Sequence, residues 1–406
     1  MTSGNAISSK NLPGIPPEMI GTAKSLVAQA HANDGLAPLD VGRFWDDQAI
    51  AVRDPFGAAI PQAPLGIAMS WECVFDELGL EEDPWRYLHD AAWRRSLITA
   101  YNDRSEQIVG RRLLDETPDV LAHLQYPERK ELHDVFEMPR IWQSGSWWLE
   151  QSARTEDELT ALLDRVDNKN IRQEILPPGW EQARDRLLPR GIKPPLYRAQ
   201  RGPVTFATSL YGTDNLLYLI MLNPDLAARL RDTILRVMLE IGRIGDEEAG
   251  YSPAEAPRGF SFYDDNCSLL SPELYEFFSL PILRAVFENY APAPCDWRYQ
   301  HSDSAMGHLV PLLSQLNFTQ VNFGPTVTVA QIRHQMPRTV IQGQLAPFTF
   351  SRNNEVEIVT QFLRDFTMAG NERGLLFDTA GSVNNGSRLT GMRLIMAAIQ
   401  RYGRYH

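Results

Sequence analysis

The second half of the chain alternates short apolar runs with helical patterns, and this alternation restricts the fold more than any other feature. Runs at 204–208, 259–263, 297–300, 318–323, 339–342 and 375–377 each read as a buried strand. A helical pattern opens at Asn223-Pro224-Asp225 and continues through Ile241, with proline in the first turn, where its missing N–H costs nothing. Another opens at Ser271-Pro272-Glu273-Leu274, with Ser271 as N-cap. Strands separated by helices form a parallel sheet. With six such runs in the second half of a 406-residue chain, a closed (β/α)8 TIM barrel is expected over an open doubly wound sheet. No G-x-G-x-x-G or P-loop pattern follows a strand, which argues against a nucleotide-binding fold.

The first half is less regular. Residues 1–40, rich in Ser, Asn, Gly and Pro around an amphipathic segment at 19–30, read as an N-terminal arm. Residues 41–406 read as a single barrel domain, 41–194 being its elaborated helical part and 195–406 its regular βα units. Helical spacing at 156–166 puts Leu159, Leu162, Leu163 and Val166 on one face. Leu176-Pro177-Pro178-Gly179 and Lys193-Pro194-Pro195-Leu196 interrupt helices, because tandem prolines cannot continue them.

A net charge of -12 leaves no basic surface for nucleic acid. No window approaches the roughly 18 to 20 apolar residues of a membrane span. Cys73, Cys267 and Cys295 form no CxxC pair, and the first residues lack the basic and apolar regions of a signal peptide. A reducing, cytoplasmic setting without membrane contact is expected.

Two strand ends concentrate polar chemistry. The run at 259–263 ends in Asp264-Asp265-Asn266, and the run from Trp297 ends in His301-Ser302-Asp303. Parallel barrels place catalytic residues at the carboxyl ends of their strands, so Asp264, Asp265, His301 and Asp303 are candidate catalytic residues. A carboxylate here is a general base, a metal ligand or a substrate acceptor; the alternative is that it caps the following turn. The i, i+2 spacing of His301 and Asp303 projects both side chains to one side of an extended strand. That suits two ligands of one metal, or a histidine whose tautomer a carboxylate fixes. Asn266, Asn322, Gln342, Gln344 and Asp378 are candidate substrate-binding residues at strand ends, with Gly343 allowing close backbone approach. Ser382, with Asn384 and Asn385, reads as a turn at a helix N-terminus and a further substrate contact.

Cys267 reads as a small buried hydrophobe. Trp142, Trp147 and Trp148, with Trp45, Trp71 and Trp85, read as core packing or an oligomer interface, such as that of a homodimer, before a wall for a planar ligand. Tyr101-Asn102-Asp103-Arg104 with Arg111 and Arg112 reads as a solvated helix face.

As an ordered set, several motifs resemble the uroporphyrinogen decarboxylase superfamily from about residue 195 to the C-terminus. They are Gly202-Pro203-Val204-Thr205, Phe262-Tyr263-Asp264-Asp265, Leu270-Ser271-Pro272-Glu273-Leu274-Tyr275-Glu276 with Pro281, and His301-Ser302-Asp303. Gly343 after a β run and Gly381-Ser382-Val383-Asn384-Asn385-Gly386, leading into 392–403, complete the set. The resemblance implies a TIM barrel and one of two chemistries. One is cofactor-free decarboxylation of tetrapyrrole acetate arms; the other is methyl transfer to or from a corrinoid protein or a thiol, often with zinc.

The departures choose between them. The arginine-rich N-terminal signature of the decarboxylases is absent, Ser209 stands where they place a tyrosine, and Thr379-Ala380-Gly381 replaces their Gly-His-Gly. The His-x-Cys pair of the zinc methyltransferases reads His301-Ser302-Asp303, and their later cysteine corresponds to Ala380. Zinc held by two thiolates is excluded, while a site of imidazole nitrogen and carboxylate oxygen stays open, with His301 and Asp303 as its ligands. The chain resembles the divergent, methyltransferase-like branch. This implies methyl transfer from a small methylated substrate, such as an aromatic methoxy compound, to a corrinoid (cobalamin) on a partner protein. A cofactor-free decarboxylase or lyase of a non-porphyrin acid, and a non-catalytic barrel serving as a binding subunit, are the alternatives.

Overall fold

The computed structural model describes residues 16–117 and 121–405, so residues 1–15 of the expected arm lie outside the described residues. The chain divides into two compact units, one of Thr117–Val321 and one of the segments up to Glu116 and from Asn322.

The Thr117–Val321 unit begins its strands with an antiparallel hairpin, β1 (Arg140–Gln143) and β2 (Ser146–Leu149), in which Trp142 faces Trp147. Its turn is Ser144-Gly145, both at positive φ, the backbone that twists two strands together. Trp147 and Trp148 are 45% and 55% exposed, which corrects the core-packing expectation for these two. A two-stranded ribbon has no second layer to cover its faces.

β3 (Ala199–Arg201), β4 (Phe260–Tyr263) and β5 (Arg298–Ser302) pair in chain order, all parallel. Helices Pro203–Tyr211, Thr213–Leu222 and Pro224–Glu248 connect the first two strands, and Pro272–Phe278 and Leu280–Tyr290 the next two. This is the expected strand–helix alternation, with one correction. The run at 204–208 is helix, not strand, and the strand lies just upstream in β3. Val204, Thr205, Phe206, Ala207 and Thr208 are all buried, so the run shows no polar stripe to reveal a helical period. Pro203 at the first helical position was the available signal. Other expected features are present: the Glu156–Asp167 helix buries Leu159, Leu162, Leu163 and Val166, and Ser271 caps Pro272–Phe278.

Alternation along β4 and β5 sorts their side chains onto two faces. Phe260 and Phe262 are fully buried and pack on Tyr290 and Phe287 of the Leu280–Tyr290 helix, at ring separations of 5.7 and 5.6 Å. Each such ring contributes about 1.5–3 kcal/mol by leaving water. On the other face Tyr263 packs against Tyr299 and His301, at 6.1 and 5.9 Å.

β6 (Gln320–Phe323) lies across the division between the units. In the other unit β7 (Val340–Leu345) pairs in parallel with β8 (Leu375–Thr379), placing Gln344 opposite Asp378. The Pro17–His31 helix buries Ala23, Leu26, Val27 and Ala30 and packs on the Glu355–Ala369 helix, so this part of the expected arm belongs to that unit's core. Among the described residues no helix is long and apolar enough to cross a membrane.

Candidate active site

The alternation of β4 separates its two terminal aspartates. Asp264 continues the face of Phe260 and Phe262 and is fully buried. Its Oδ1 accepts the backbone N–H of Thr205 at 2.8 Å. The helix that starts at Pro203 has Gly202 as N-cap, which offers no side-chain acceptor, so Asp264 supplies one from a neighbouring strand. Gly202 is required there, since a Cβ at that position would collide with the Asp264 side chain. Burial raises the Asp264 carboxyl to about 6, against the lowering effect of the Thr205 and Val204 N–H groups. Asp264 therefore caps a helix, although not the turn that follows it. Asn266 is turned the same way, with its Nδ2 donating to Thr208 Oγ1 at 2.7 Å and its backbone N–H to Thr205 Oγ1 at 3.0 Å. Cys267 is buried as expected; its thiol lies 3.4 Å from Ser302 Oγ, and burial pushes its pKa up.

Asp265 turns out of the strand at the start of the Asp265–Leu269 3-10 turn and meets the end of β5. Its Oδ1 accepts the Asp303 N–H at 3.1 Å and lies 3.6 Å from His301 Nε2. One ligand atom each from Asp265, His301 and Asp303 lie within 4.8 Å of one another. The sequence pattern paired His301 with Asp303; the structure brings Asp265 beside them. Burial and the negative charge of Asp265 raise the Asp303 carboxyl above its ordinary value, while His301 opposes the shift.

The donor set fits a divalent cation. Nitrogen and oxygen ligands bind such ions at about 2.0–2.2 Å, so the three ligand atoms would draw closer together to hold one. One imidazole and two carboxylates suit zinc or a harder ion and leave coordination positions open. A cation would also relieve the repulsion between Asp265 and Asp303.

The candidates in the other unit tie strand ends to one another. Asn322 Nδ2 donates to the carbonyls of Gln342 and Thr379, each at 2.8 Å. Gln342 Nε2 donates to Asp378 Oδ2 at 2.7 Å, and Asp378 Oδ1 accepts the Thr379 N–H at 2.7 Å. Burial raises the Asp378 carboxyl. Gln344 Nε2 is spent on the carbonyls of Gly324 and Val327. Ser382 is exposed.

Within the Thr117–Val321 unit a cavity of about 840 Å³ opens beside β3 and β4, lined in part by Arg129, Trp180, Tyr197, Arg201 and Tyr263. No motif in the sequence pointed to it. Tyr263 forms one wall and its other neighbour is His301, 5.9 Å away between ring centres.

Comparison with known proteins bears on the fold and the lineage. A methyltransferase from Methanosarcina mazei has a similar structure, with a TM-score of 0.52 and 13% sequence identity over 87% of this chain and 98% of that one. At that identity the likeness concerns the fold. No curated protein sequence matches the chain. The family model for uroporphyrinogen decarboxylase (URO-D) matches residues 183–402, which include β3 to β8 and the Asp265, His301 and Asp303 cluster. The chain belongs to the uroporphyrinogen decarboxylase family, whose fold is a (β/α)8 barrel, and its described strands β3 to β8 pair in chain order as in such a fold.

Proposed function

We propose that this chain is a metal-assisted methyltransferase that takes a methyl group from a small methylated compound, such as an aromatic methyl ether, and passes it to a corrinoid on a partner protein. The observation that carries this reading is the grouping of Asp265, His301 and Asp303 at two adjacent strand ends. Family membership and the likeness to a methyltransferase fold agree with it.

The reaction breaks a methyl–oxygen or methyl–sulfur bond, and negative charge develops on the atom left behind. A divalent ion held by Asp265, His301 and Asp303 would stabilise that charge as a Lewis acid. Asp265 faces His301 Nε2 and accepts the Asp303 N–H, so it orients the other two. Tyr263, ring to ring with His301, supplies an aromatic wall beside the reacting group. Without an ion, a protonated His301 would be the residue type suited to deliver the proton that neutralises the leaving alkoxide or thiolate; as a metal ligand it would not carry that proton. Asp264 stays on the helix-capping side and takes no part in this chemistry.

Metal analysis of the purified chain after incubation with zinc or manganese, followed by assay with methoxybenzoates and cob(I)alamin, tests the proposal. One bound equivalent, lost in His301→Ala, and formation of methylcobalamin are expected. Absence of metal binding together with absence of methylcobalamin would remove it. The cofactor-free decarboxylase reading has one observation in its favour, the arginine-bearing cavity beside Tyr263, and it predicts CO2 release from a carboxylic acid without cobalamin.

A further inference from the structure

Arg129 presents a guanidinium that no described residue holds by a hydrogen bond or a close ion pair. Other arginines of its unit are held by carboxylates: Arg172 and Arg184 by Glu248, Arg198 by Asp246, Arg229 by Asp164 and Asp167. Arg129 has no hydrogen bond or ion pair among the described residues, yet it is largely withdrawn from solvent at the wall of the 840 Å³ cavity. Its Nη1 would lie 2.9 Å from a Cβ at Gly245, so the bare backbone of the Pro224–Glu248 helix makes the room it occupies. Burial pushes its pKa below the ordinary arginine value. Withdrawing a charge without a partner costs several kcal/mol, and that cost points to a missing anion.

The rest of the cavity says what the anion is attached to. Trp180, Tyr126 and Tyr197 line it, and their polar atoms are already committed. Trp180 Nε1 donates to Glu248, Tyr126 OH to the Ile192 carbonyl and Tyr197 OH to Gln200, at 2.8, 3.0 and 2.8 Å. The aromatic faces join Ile192, Leu196 and Phe206 in an apolar part of the wall, while Glu128, Glu131 and His133 line another part. The other cations on the wall are engaged: Lys130 with Glu174 at 2.7 Å, Lys193 over the Tyr251 ring at 3.3 Å, and Arg201 at 3.5 Å from Ser209 Oγ. One unengaged guanidinium, with the Glu131 carboxylate in its electrostatic field, suits a single negative charge better than a phosphate dianion.

We propose that this cavity binds a small organic monocarboxylate with an apolar or aromatic body, its carboxylate gripped by the fork of Arg129. The inference stands apart from the metal reading, because Asp265, His301 and Asp303 do not line the cavity among its described residues. Were the carboxylate part of the methylated substrate, Tyr263 is the wall that the cavity and His301 share.

Calorimetric titration of the full chain with benzoate, phenylacetate and hexanoate, each against its neutral amide, tests the proposal. At least one acid is expected to bind with a Kd below about 1 mM and its amide about tenfold or more weaker, a gap of about 1.4 kcal/mol. Arg129→Met and Gly245→Ala should each remove that preference, the second while keeping Arg129 and the fold. His301→Ala should retain it, which separates failure of this proposal from failure of the metal reading. Three outcomes would overturn it: no acid binding below about 10 mM, equal binding of acid and amide, or tighter binding of inorganic phosphate.

Discussion

Asp264 at the end of one strand accepts the N–H of Thr205 in the first turn of a helix that follows another strand, at 2.8 Å. The bond stitches β4 to the Pro203–Tyr211 helix and supplies the cap that Gly202 lacks. Asp264→Ala should therefore cost about 1–2 kcal/mol. Asp264→Asn keeps an acceptor without burying a charge, and should be as stable as the parent chain or more so at pH 7. Urea denaturation of the two variants checks the difference.

Two glycines one turn apart on the Pro224–Glu248 helix should respond oppositely to the same change. A Cβ at Gly242 would run into the ring and hydroxyl of Tyr290, which is packed against Phe260. Gly242→Ala should destabilise by about 1–3 kcal/mol. At Gly245 the obstacle is only the far end of Arg129, which can swing away. Gly245→Ala should be neutral or stabilising by up to about 1 kcal/mol from helix propensity. Thermal melts of both variants decide this.

Removing one carboxylate from the cluster should weaken metal binding without unfolding the chain. Asp265→Asn and Asp303→Asn are each expected to lower affinity for zinc or manganese by about tenfold or more, 1.4 kcal/mol or above. Asp264→Asn should leave it unchanged within about threefold. Competition titration with a chromophoric chelator reads all three.

Asp365 predicts a pH dependence of stability in the unit that carries it. It is fully buried on the Glu355–Ala369 helix, and burial raises its carboxyl to about 7 even though Arg364 Nη2 lies 2.7 Å from Oδ1. The native state thus binds a proton that the unfolded chain has lost between about pH 4 and pH 7, so stability falls as pH rises through that window and levels off above it. Each pH unit is worth at most about 1.4 kcal/mol. Asp365→Asn should abolish this slope, and its stability relative to the parent chain should improve from pH 4 to pH 7. Denaturation curves at several pH values measure it.

Strands β4 to β8 were legible in the sequence because each is a short apolar run bounded by turn residues. The run at 204–208 misled for a physical reason: a helix buried on every side shows no stripe, and its composition then resembles a strand. His301 and Asp303 could be paired from spacing alone. Their third partner, Asp265, could not, since it meets them only because parallel pairing sets Tyr263 opposite His301. The period of two along Phe260, Phe262 and Asp264 did contain the distinction between the two aspartates. Arg129 was invisible for a different reason. Its significance depends on Gly245, far along the chain, and on the absence of a carboxylate, and no local pattern encodes an absence.

The separation of Asp264 from Asp265 has a consequence for how such a chain can change over time. One position answers to the architecture and the next, on the proposed reading, to a bound ion. A descendant could exchange Asp265 for a thiol, an amide or nothing, and so acquire a new ion or lose one, without disturbing its skeleton. The residue before it must keep an acceptor for the Thr205 N–H, so the boundary between inherited frame and adjustable chemistry falls across a single peptide bond.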